Sequence, residues 1–273
     1  MWICQKTPTS LARTVLIPLP GPVVLTSYMV LMVMTPLKAV EEPTHFMPVA
    51  AMIRSLEDQM LIGVPKEIKN HEYRVGMTPT SVQEAVAHGH SVVVQTNAGL
   101  GIGSTDADYE AAGARIADTP EEIFAEADMI VKVKEPQAVE RKMLREDQIL
   151  FTYLHLAPDP EQTKDLIDSG AVCIAYETVV DSNGGLPLLA PMSQVAGRMS
   201  IQAGAHCLER AQGGKGILLG GVPGVAPAEV VVIGGGVVGE NAIYMALGMA
   251  AKVTVLDRNV DALRNLTTRF GPA

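Results

Sequence analysis

The sequence has little cysteine, few aromatic residues and no excess of positive charge. Its three cysteines, at positions 4, 173 and 207, form no C-x-x-C pair, which argues against a disulfide framework and against a zinc site. The formal net charge of −9 argues against a nucleic-acid partner, because phosphate neutralisation needs a clustered Lys/Arg surface. A reduced, cytoplasmic setting is the simplest interpretation. Cys173 lies in an apolar run and is predicted to be a core residue rather than a reactive thiol.

No uninterrupted apolar run is long enough to cross a membrane. The tract over residues 15–34 contains Pro18, Pro20 and Pro22, which prevent a helix across its first part. The remainder, residues 23–34, has the length of a signal-peptide h-region rather than a membrane span, but no convincing small-residue cleavage site follows it. We therefore predict that residues 1–59 are a disordered extension or a start site assigned too far upstream. A targeting or membrane segment is the alternative.

From Met60 onward, short apolar runs alternate with amphipathic segments. The predicted strands are residues 61–64, 91–94, 129–133, 148–152 and 171–175, and the predicted helices are residues 80–87, 106–112, 120–127 and 160–168. Several helices are opened by Thr, Asp or Pro at capping positions. Such alternation predicts parallel strands with crossover helices, and therefore an α/β, doubly wound domain. We predict a substrate domain over residues 60–190 and a nucleotide-binding domain over residues 191–273, with a linking helix at 195–211.

A glycine-rich motif organises the second domain. Gly234, Gly236 and Gly239 follow the apolar run at residues 229–233, and Asp257 ends a second apolar run about twenty residues later, as in a dinucleotide-binding βαβ unit. There the first glycine permits a tight turn, the second a close approach of the pyrophosphate, and the third close helix packing. The acid binds the ribose 2′-hydroxyl, which favours NAD over NADP, although the adjacent Arg258 weakens that preference. An ordinary βαβ unit without a nucleotide is the alternative.

Longer motifs in the first domain make the chain recognisable. They are G-V-P-K-E at 63–67 with E-Y-R-V at 72–75, V-K-V-K-E-P at 131–136, F-T-Y-L-H-L-A at 151–157 and L-A-P-M-S at 189–193. On these motifs and the glycine motif, in this order, the chain resembles the alanine dehydrogenases, within a wider family that includes the nucleotide-binding part of the alpha subunit of proton-translocating transhydrogenase. The resemblance covers almost everything from residue 60 to the end. The K-E-P and L-H-L runs look like the dehydrogenase.

The resemblance implies roles for single residues. Arg74 would bind the substrate carboxylate, Lys134 would contact the substrate oxygens and polarise the keto group of pyruvate, and His155 would be the general acid/base. These residue types suit such roles, because the guanidinium of arginine can donate two parallel hydrogen bonds to a carboxylate, and histidine can take up and release protons near neutral pH. Without the resemblance, a surface arginine, a solvated lysine and a buried or rim histidine are the plainer interpretations. The predicted cofactor-binding residues are Ser193, Gly234, Gly236, Val238, Gly239 and Asp257.

The implied function is the reversible, NAD-dependent oxidative deamination of L-alanine to pyruvate and ammonium, with hydride transfer in the inter-domain cleft. The resemblance also implies a homo-oligomer, commonly a hexamer, and no membrane partner. A complete dinucleotide fold needs two βαβ halves, so we expect a C-terminally truncated chain that lacks the family's active-site aspartate and exposes an unpaired strand edge. A transhydrogenase alpha subunit, a saccharopine-type dehydrogenase and a non-catalytic remnant stay open as alternatives.

Overall fold

The computed structural model describes residues 13–18, 28–33 and 59–271. The chain divides into two compact units, Met1–Gly185 and Leu186–Ala273. This division falls slightly before the domain boundary that the sequence places near residue 190. Within the described part of the chain, no helix is both long and apolar enough to cross a membrane.

Two short strands lie in the N-terminal stretch. Strand β1 (Arg13–Pro18) pairs antiparallel with strand β2 (Tyr28–Val33), with Arg13 opposite Val33 and Pro18 opposite Tyr28. The structure thus places residues 13–18 and 28–33 in strands, and a disordered extension or a start site assigned too far upstream stays a prediction for residues 1–59. Both runs are rich in residue types that favour strands, and each gives the other's backbone a partner. The rest of the prediction for residues 1–59 falls outside the described residues, except for Gln59.

A six-stranded parallel sheet forms the centre of the first unit. Its strands are β3 (Leu61–Val64), β4 (Ser91–Gln95), β5 (Arg115–Ala117), β6 (Met129–Val131), β7 (Ile149–Thr152) and β8 (Val172–Ala175). The strand order is β5-β4-β3-β6-β7-β8. The chain thus runs outward from β3, returns to the centre at β6 and runs outward again. This doubly wound order confirms the predicted α/β fold, and its switch point between β3 and β6 is where such sheets bind ligands.

The helices of this unit begin where the sequence supplies caps. They are α1 (Pro79–Ala87), α2 (Asp106–Ala111), α3 (Pro120–Glu126), α4 (Ala138–Arg141) and α5 (Pro160–Ser169). Before α1, α2, α3 and α5, a Thr or Asp side chain accepts the N–H of the residue three positions later, and proline opens three of these four. Such caps satisfy N–H groups that the helix itself leaves unpaired. The sequence did not predict β5 and α4, because segments of three and four residues carry too little periodicity.

The sheet is buried on both faces. Val92 and Val94 belong to one apolar cluster, whereas Val93 between them belongs to another, because side chains alternate across a strand. On the central strand, a Cβ at Gly63 would lie 2.6 Å from Cγ2 of Ile123 in α3. Only glycine allows this helix to approach the sheet so closely.

The second unit contains one βαβ unit. Helix α6 (Ala190–Cys207) precedes β9 (Glu229–Ile233), α7 (Val237–Gly248), β10 (Lys252–Leu256) and α8 (Val260–Phe270). Strands β9 and β10 are parallel, with Lys252 opposite Glu229. Among the described residues, β9 pairs with no other strand, and Ile233 is 84% exposed.

The linking helix is shifted from its predicted position at 195–211. Helix α6 starts earlier because Pro191 is tolerated in a first turn. It ends earlier because a 3₁₀ turn at Arg210–Gln212 and a left-handed Gly213 follow it.

Candidate functional site

A cluster of charged side chains lies at the carboxyl edge of the first unit's sheet. Residues that follow β3, β6, β7 and β8 contribute to it, so the switch point lies within the cluster. The structure thereby brings to one edge of the sheet the three residues that the sequence predicts for substrate binding and catalysis, Arg74, Lys134 and His155.

Arg74 is held by a carboxylate two residues before it. Its Nε donates to Oε1 of Glu72 at 2.8 Å and its Nη2 donates to Oε2 at 2.6 Å. The hydrogen bond from Arg74 is the largest cause that lowers the pKa of Glu72 to about 2, while burial opposes it. The Glu72 side chain is 7% exposed and that of Arg74 is 47% exposed. One edge of the guanidinium is therefore fixed, and the group still reaches solvent.

Lys134 has a fixed backbone and an available ammonium group. Its N–H donates to Oε1 of Glu67 at 3.3 Å, and its carbonyl oxygen accepts from Oγ1 of Thr152 at 2.9 Å. Among the described residues, Lys134 Nζ makes no hydrogen bond or ion pair, yet its charge contributes to the lowered pKa values of Glu72 and Glu135. This ammonium group can therefore bind an anionic or carbonyl oxygen without first breaking an ion pair.

A buried ion triad anchors the segment that carries Lys134. Lys132 Nζ donates to Glu67 Oε2 at 3.2 Å and to Glu140 Oε1 at 2.7 Å, and the Lys132 side chain is fully buried. Burial raises the pKa of Glu67 despite the opposing charge of Lys132. The N–H of Val133 donates to Glu67 Oε1 at 2.6 Å instead of to a neighbouring strand. Strand β6 itself spans Met129–Val131 rather than the predicted 129–133, although Lys132 N–H still donates to the carbonyl oxygen of Phe151 at 3.1 Å.

His155 is fixed at its backbone and half-exposed at its ring. Its φ is +50°, and its N–H donates to Oε1 of Glu177 at 2.7 Å. Nδ1 of the ring lies 3.6 Å from Oε2 of Glu135, and the ring centroid lies 6.0 Å from that of Tyr153. The His155 side chain is 42% exposed. An imidazole in this position can exchange protons with a bound molecule and with a carboxylate.

Sequence reasoning missed the carboxylates of this cluster. Glu72 and Glu135 lie inside motifs quoted above but received no role, and Glu177 lies in the 3₁₀ turn Tyr176–Thr178 directly after β8. Their position after predicted parallel strands was an available signal, because the carboxyl ends of such strands share one edge.

The glycine turn of the second unit has the geometry that its spacing predicts. Gly234 has φ of +97°, and a Cβ at Gly239 would overlap the carbonyl oxygen of Gly234. A Cβ at Gly236 would meet no described atom within 4 Å. The turn is therefore tight at its first glycine, closely packed at its third, and open at its second.

Asp257 is attached to the same turn. Its Oδ2 accepts the N–H of Gly235 at 2.5 Å and its Oδ1 accepts the N–H of Asn259 at 2.7 Å. The bonds from Asn259 and Gly235 are the main causes of the lowered pKa of Asp257. The carboxylate is therefore ionised at neutral pH and held in position beside the turn.

A groove of about 1000 Å³ runs beside β9 in the second unit. Five of the predicted cofactor residues line it, namely Ser193, Gly234, Gly236, Val238 and Gly239. Asp257 does not line the groove, but its carboxylate accepts a hydrogen bond from the N–H of Gly235 in the glycine turn. Ser193 reaches this position because α6 packs on α7, where a Cβ at Gly197 would overlap the carbonyl oxygen of Val238.

A doubly wound sheet with charged groups at its switch point, together with a βαβ unit that has this glycine turn, is the arrangement typical of the α/β proteins that bind dinucleotides. Two family models match the chain in succession: alanine dehydrogenase/PNT, N-terminal domain, over residues 63–196, and alanine dehydrogenase/PNT, C-terminal domain, over residues 200–273. The chain belongs to the alanine dehydrogenase/PNT family.

Individual relatives agree with this assignment. An alanine dehydrogenase from Halomonas elongata is 63% identical over 211 residues, which are 77% of this chain and 57% of the relative. A solved L-alanine dehydrogenase has a TM-score of 0.74 and 53% identity, over 78% of this chain and 59% of its own. A transhydrogenase from Sinorhizobium meliloti has a TM-score of 0.65 and 26% identity, over 77% and 60%. The chain thus spans less than two thirds of the length of these relatives.

Proposed function

We propose that this protein works as an alanine dehydrogenase, which converts L-alanine, water and NAD reversibly to pyruvate, ammonium and NADH. The observation that carries the proposal is the grouping at one sheet edge of the guanidinium of Arg74, the imidazole of His155 and the ammonium of Lys134, which forms no ion pair with any described residue. The identity of 63% to an alanine dehydrogenase supports it.

The chemistry requires these three kinds of group. Both L-alanine and pyruvate carry a carboxylate, and the half-exposed guanidinium of Arg74 suits a carboxylate. The ammonium of Lys134 polarises the keto oxygen of pyruvate, because a fixed positive charge stabilises charge that develops there. The imidazole of His155 takes and returns the protons of the amine and of the attacking water.

The second unit would hold the cofactor, which supplies the hydride acceptor when it is bound. The open space at Gly236 accommodates a pyrophosphate, and the first N–H groups of α7 offer donors to it. The ionised Asp257 suits a ribose 2′-hydroxyl and repels a 2′-phosphate. Asp257→Gly should therefore weaken the preference for NAD over NADP, while Asp261→Gly, at an exposed position in α8, should leave it unchanged. An unchanged ratio of kcat/KM in Asp257→Gly would refute this role.

We further propose that residues 60–190 form the substrate domain and residues 191–273 the nucleotide-binding domain. The division into compact units at residue 185 and the change of family model between residues 196 and 200 support this arrangement. By the family resemblance the protein is a homo-oligomer, commonly a hexamer. A cytoplasmic setting agrees with the low cysteine content.

The direct test is oxidation of NADH by pyruvate plus ammonium. It is run on this chain and on an extended chain, in which residue 273 is followed by the part of the Halomonas elongata relative beyond the match. We expect oxidation in the extended chain that depends on ammonium. Pyruvate without ammonium is the control, and 2-oxoglutarate with lysine tests a saccharopine-type reaction.

A transhydrogenase alpha subunit is the second candidate, and the similarity to the Sinorhizobium meliloti structure favours it. Such a subunit would bind NADH, would not reduce pyruvate with ammonium, and would need a membrane partner. NADH binding without ammonium-dependent oxidation in the extended chain would therefore support this candidate against the first.

A further inference from the structure

We propose that Glu135 is a positioning residue for His155. Its carboxylate accepts a hydrogen bond from Nδ1–H of the imidazole and so keeps Nε2 free to take a proton. The inference rests on the proposed acid/base role of His155, and it assigns the ring a defined tautomer.

The first observation is an unfilled acceptor that faces the ring. Oε2 of Glu135 is shielded from solvent and has no hydrogen-bond partner among the described residues. It lies 3.6 Å from Nδ1 of His155. A buried acceptor without a partner costs roughly 1–3 kcal/mol. A movement of about 0.5 Å would give a hydrogen bond of ordinary length, so Nδ1–H is the donor within reach.

The second observation is that the other oxygen of Glu135 is already occupied. Lys69 Nζ forms an ion pair with Oε1. Burial alone would raise the pKa of Glu135, but the hydrogen bond and charge of Lys69 and the charge of Lys134 lower it. The carboxylate is therefore ionised at neutral pH, and an ionised carboxylate only accepts hydrogen bonds.

The third observation is that two different carboxylates contact the backbone and the ring of His155. Glu177 accepts the backbone N–H groups of Leu154 and His155 at 3.0 and 2.7 Å. It therefore fixes the backbone, while Glu135 faces the ring. Tyr153 packs near the imidazole with its ring tilted by 32°. A neutral imidazole has a single N–H, and the bond that this N–H makes decides which nitrogen stays basic.

The test reads the tautomer directly in the chain labelled with ¹⁵N-histidine. At a pH where His155 is neutral, its two ring nitrogens differ in ¹⁵N chemical shift according to which one carries the proton, and His155→Ala assigns the signals. We expect Nδ1–H in the unmodified chain. In Glu135→Gln, the cation of Lys69 takes the amide oxygen and the amide NH₂ faces the ring. Nδ1 must then accept, and we expect Nε2–H. The matched control is Glu161→Gln, at an 82% exposed glutamate of α5.

Two further variants keep the test decisive if Glu135→Gln does not fold. Lys69→Gln leaves the carboxylate in place, so Nδ1–H should persist. Glu135→Asp keeps the charge and should retain more Nδ1–H than Glu135→Gln. An Nε2–H tautomer in the unmodified chain, or one tautomer shared by the unmodified chain and Glu135→Gln, would overturn the proposal.

The extended chain gives an independent readout. Glu135→Gln should lower kcat by roughly tenfold to a hundredfold, by analogy with the loss of the carboxylate partner of a metal-bound histidine. The KM for pyruvate should change less than about threefold, because Arg74 and Lys134 are left intact. If the extended chain lacked ammonium-dependent oxidation altogether, the proposed function would fail, and the tautomer measurement would still decide the role of Glu135.

Discussion

The backbone N–H of His155 donates to the carboxylate of Glu177 at 2.7 Å, at a residue whose φ is +50°. The left-handed region disfavours residues with a Cβ by about 1–2 kcal/mol. The turn after β8 thus stabilises a backbone conformation that histidine alone would avoid. Strain of this kind commonly occurs at functional sites.

The strain at His155 predicts an unusual order of stability among its variants. His155→Gly should be about 1 kcal/mol more stable than His155→Ala, because glycine adopts positive φ without cost. Urea unfolding measures the difference. His206, within helix α6, is the control, since there glycine should be about 1 kcal/mol less stable than alanine. Equal stability of the two His155 variants would show that the backbone is not strained.

The same substitutions test catalysis. In the extended chain, His155→Ala should lower turnover by roughly two to four orders of magnitude, the usual contribution of a positioned acid/base group. The measurement is NADH oxidation with pyruvate and ammonium. A decrease below about threefold would exclude His155 from the mechanism.

The Glu72–Arg74 pair predicts a pH dependence of stability. The pKa of Glu72 falls from an ordinary 4.5 to about 2 in the folded chain, chiefly through the hydrogen bond from Arg74. A lowered folded-state pKa gives stability that is present above pH 4.5 and is lost as the pH falls toward 2. Glu72→Gln should therefore be less stable near neutral pH and should lose less stability across that window. Urea titrations at several pH values test this, and parallel curves for the two proteins would contradict it.

The buried triad predicts a large cost for removing its cation. Lys132→Met leaves Glu67 and Glu140 without their common partner, and breaking a buried pair costs about 3–5 kcal/mol. Lys164→Met is the control, because Lys164 is exposed and its pair with Asp168 is a surface pair, whose loss should change the stability little. Similar free energies of unfolding for the two variants would refute a structural role for the triad.

Two glycines of the same turn should respond differently to one methyl group. A Cβ at Gly239 overlaps the carbonyl oxygen of Gly234, whereas a Cβ at Gly236 meets open space. Gly239→Ala should therefore destabilise the second unit, and Gly236→Ala should change its stability by less than about 0.5 kcal/mol. In the extended chain, Gly236→Ala should still weaken NADH binding, because its methyl group occupies the space expected for the pyrophosphate. Unchanged NADH affinity in Gly236→Ala would place the phosphates elsewhere.

Much of the fold follows from the sequence because its signals are local. Capping threonines, an aspartate and prolines mark the starts of four helices, and the predicted ends of these helices agree with the structure within one residue. The surroundings of the segment after β6 are not local, because the carboxylate that accepts the N–H of Val133 belongs to Glu67, far away in the chain.

The candidate site also contains some residues that the sequence predicts and others that depend on contacts between distant parts of the chain. The family resemblance indicates Arg74, Lys134 and His155, and these residue types suit the expected chemistry, although the residues alone favour plainer interpretations. Their roles in the reaction stay predictions. The positions of Glu135 and Glu177 after predicted strands indicate the same sheet edge, but their partners could not be predicted, because these depend on distances between loops. The positive φ of His155 also has no sequence signal, since glycine and asparagine are the usual residues there.

The buried triad also constrains how this sequence can change over generations. Replacement of Lys132 leaves two carboxylates without a cation in a place that water does not reach, whereas replacement of either glutamate leaves a single ion pair. An apolar alternative of similar volume can be equally stable, but only after all three residues have been exchanged. Every stepwise path to it passes through an intermediate with an unpaired buried charge, so Lys132 should be inherited together with at least one of the two glutamates even where an uncharged core would serve as well.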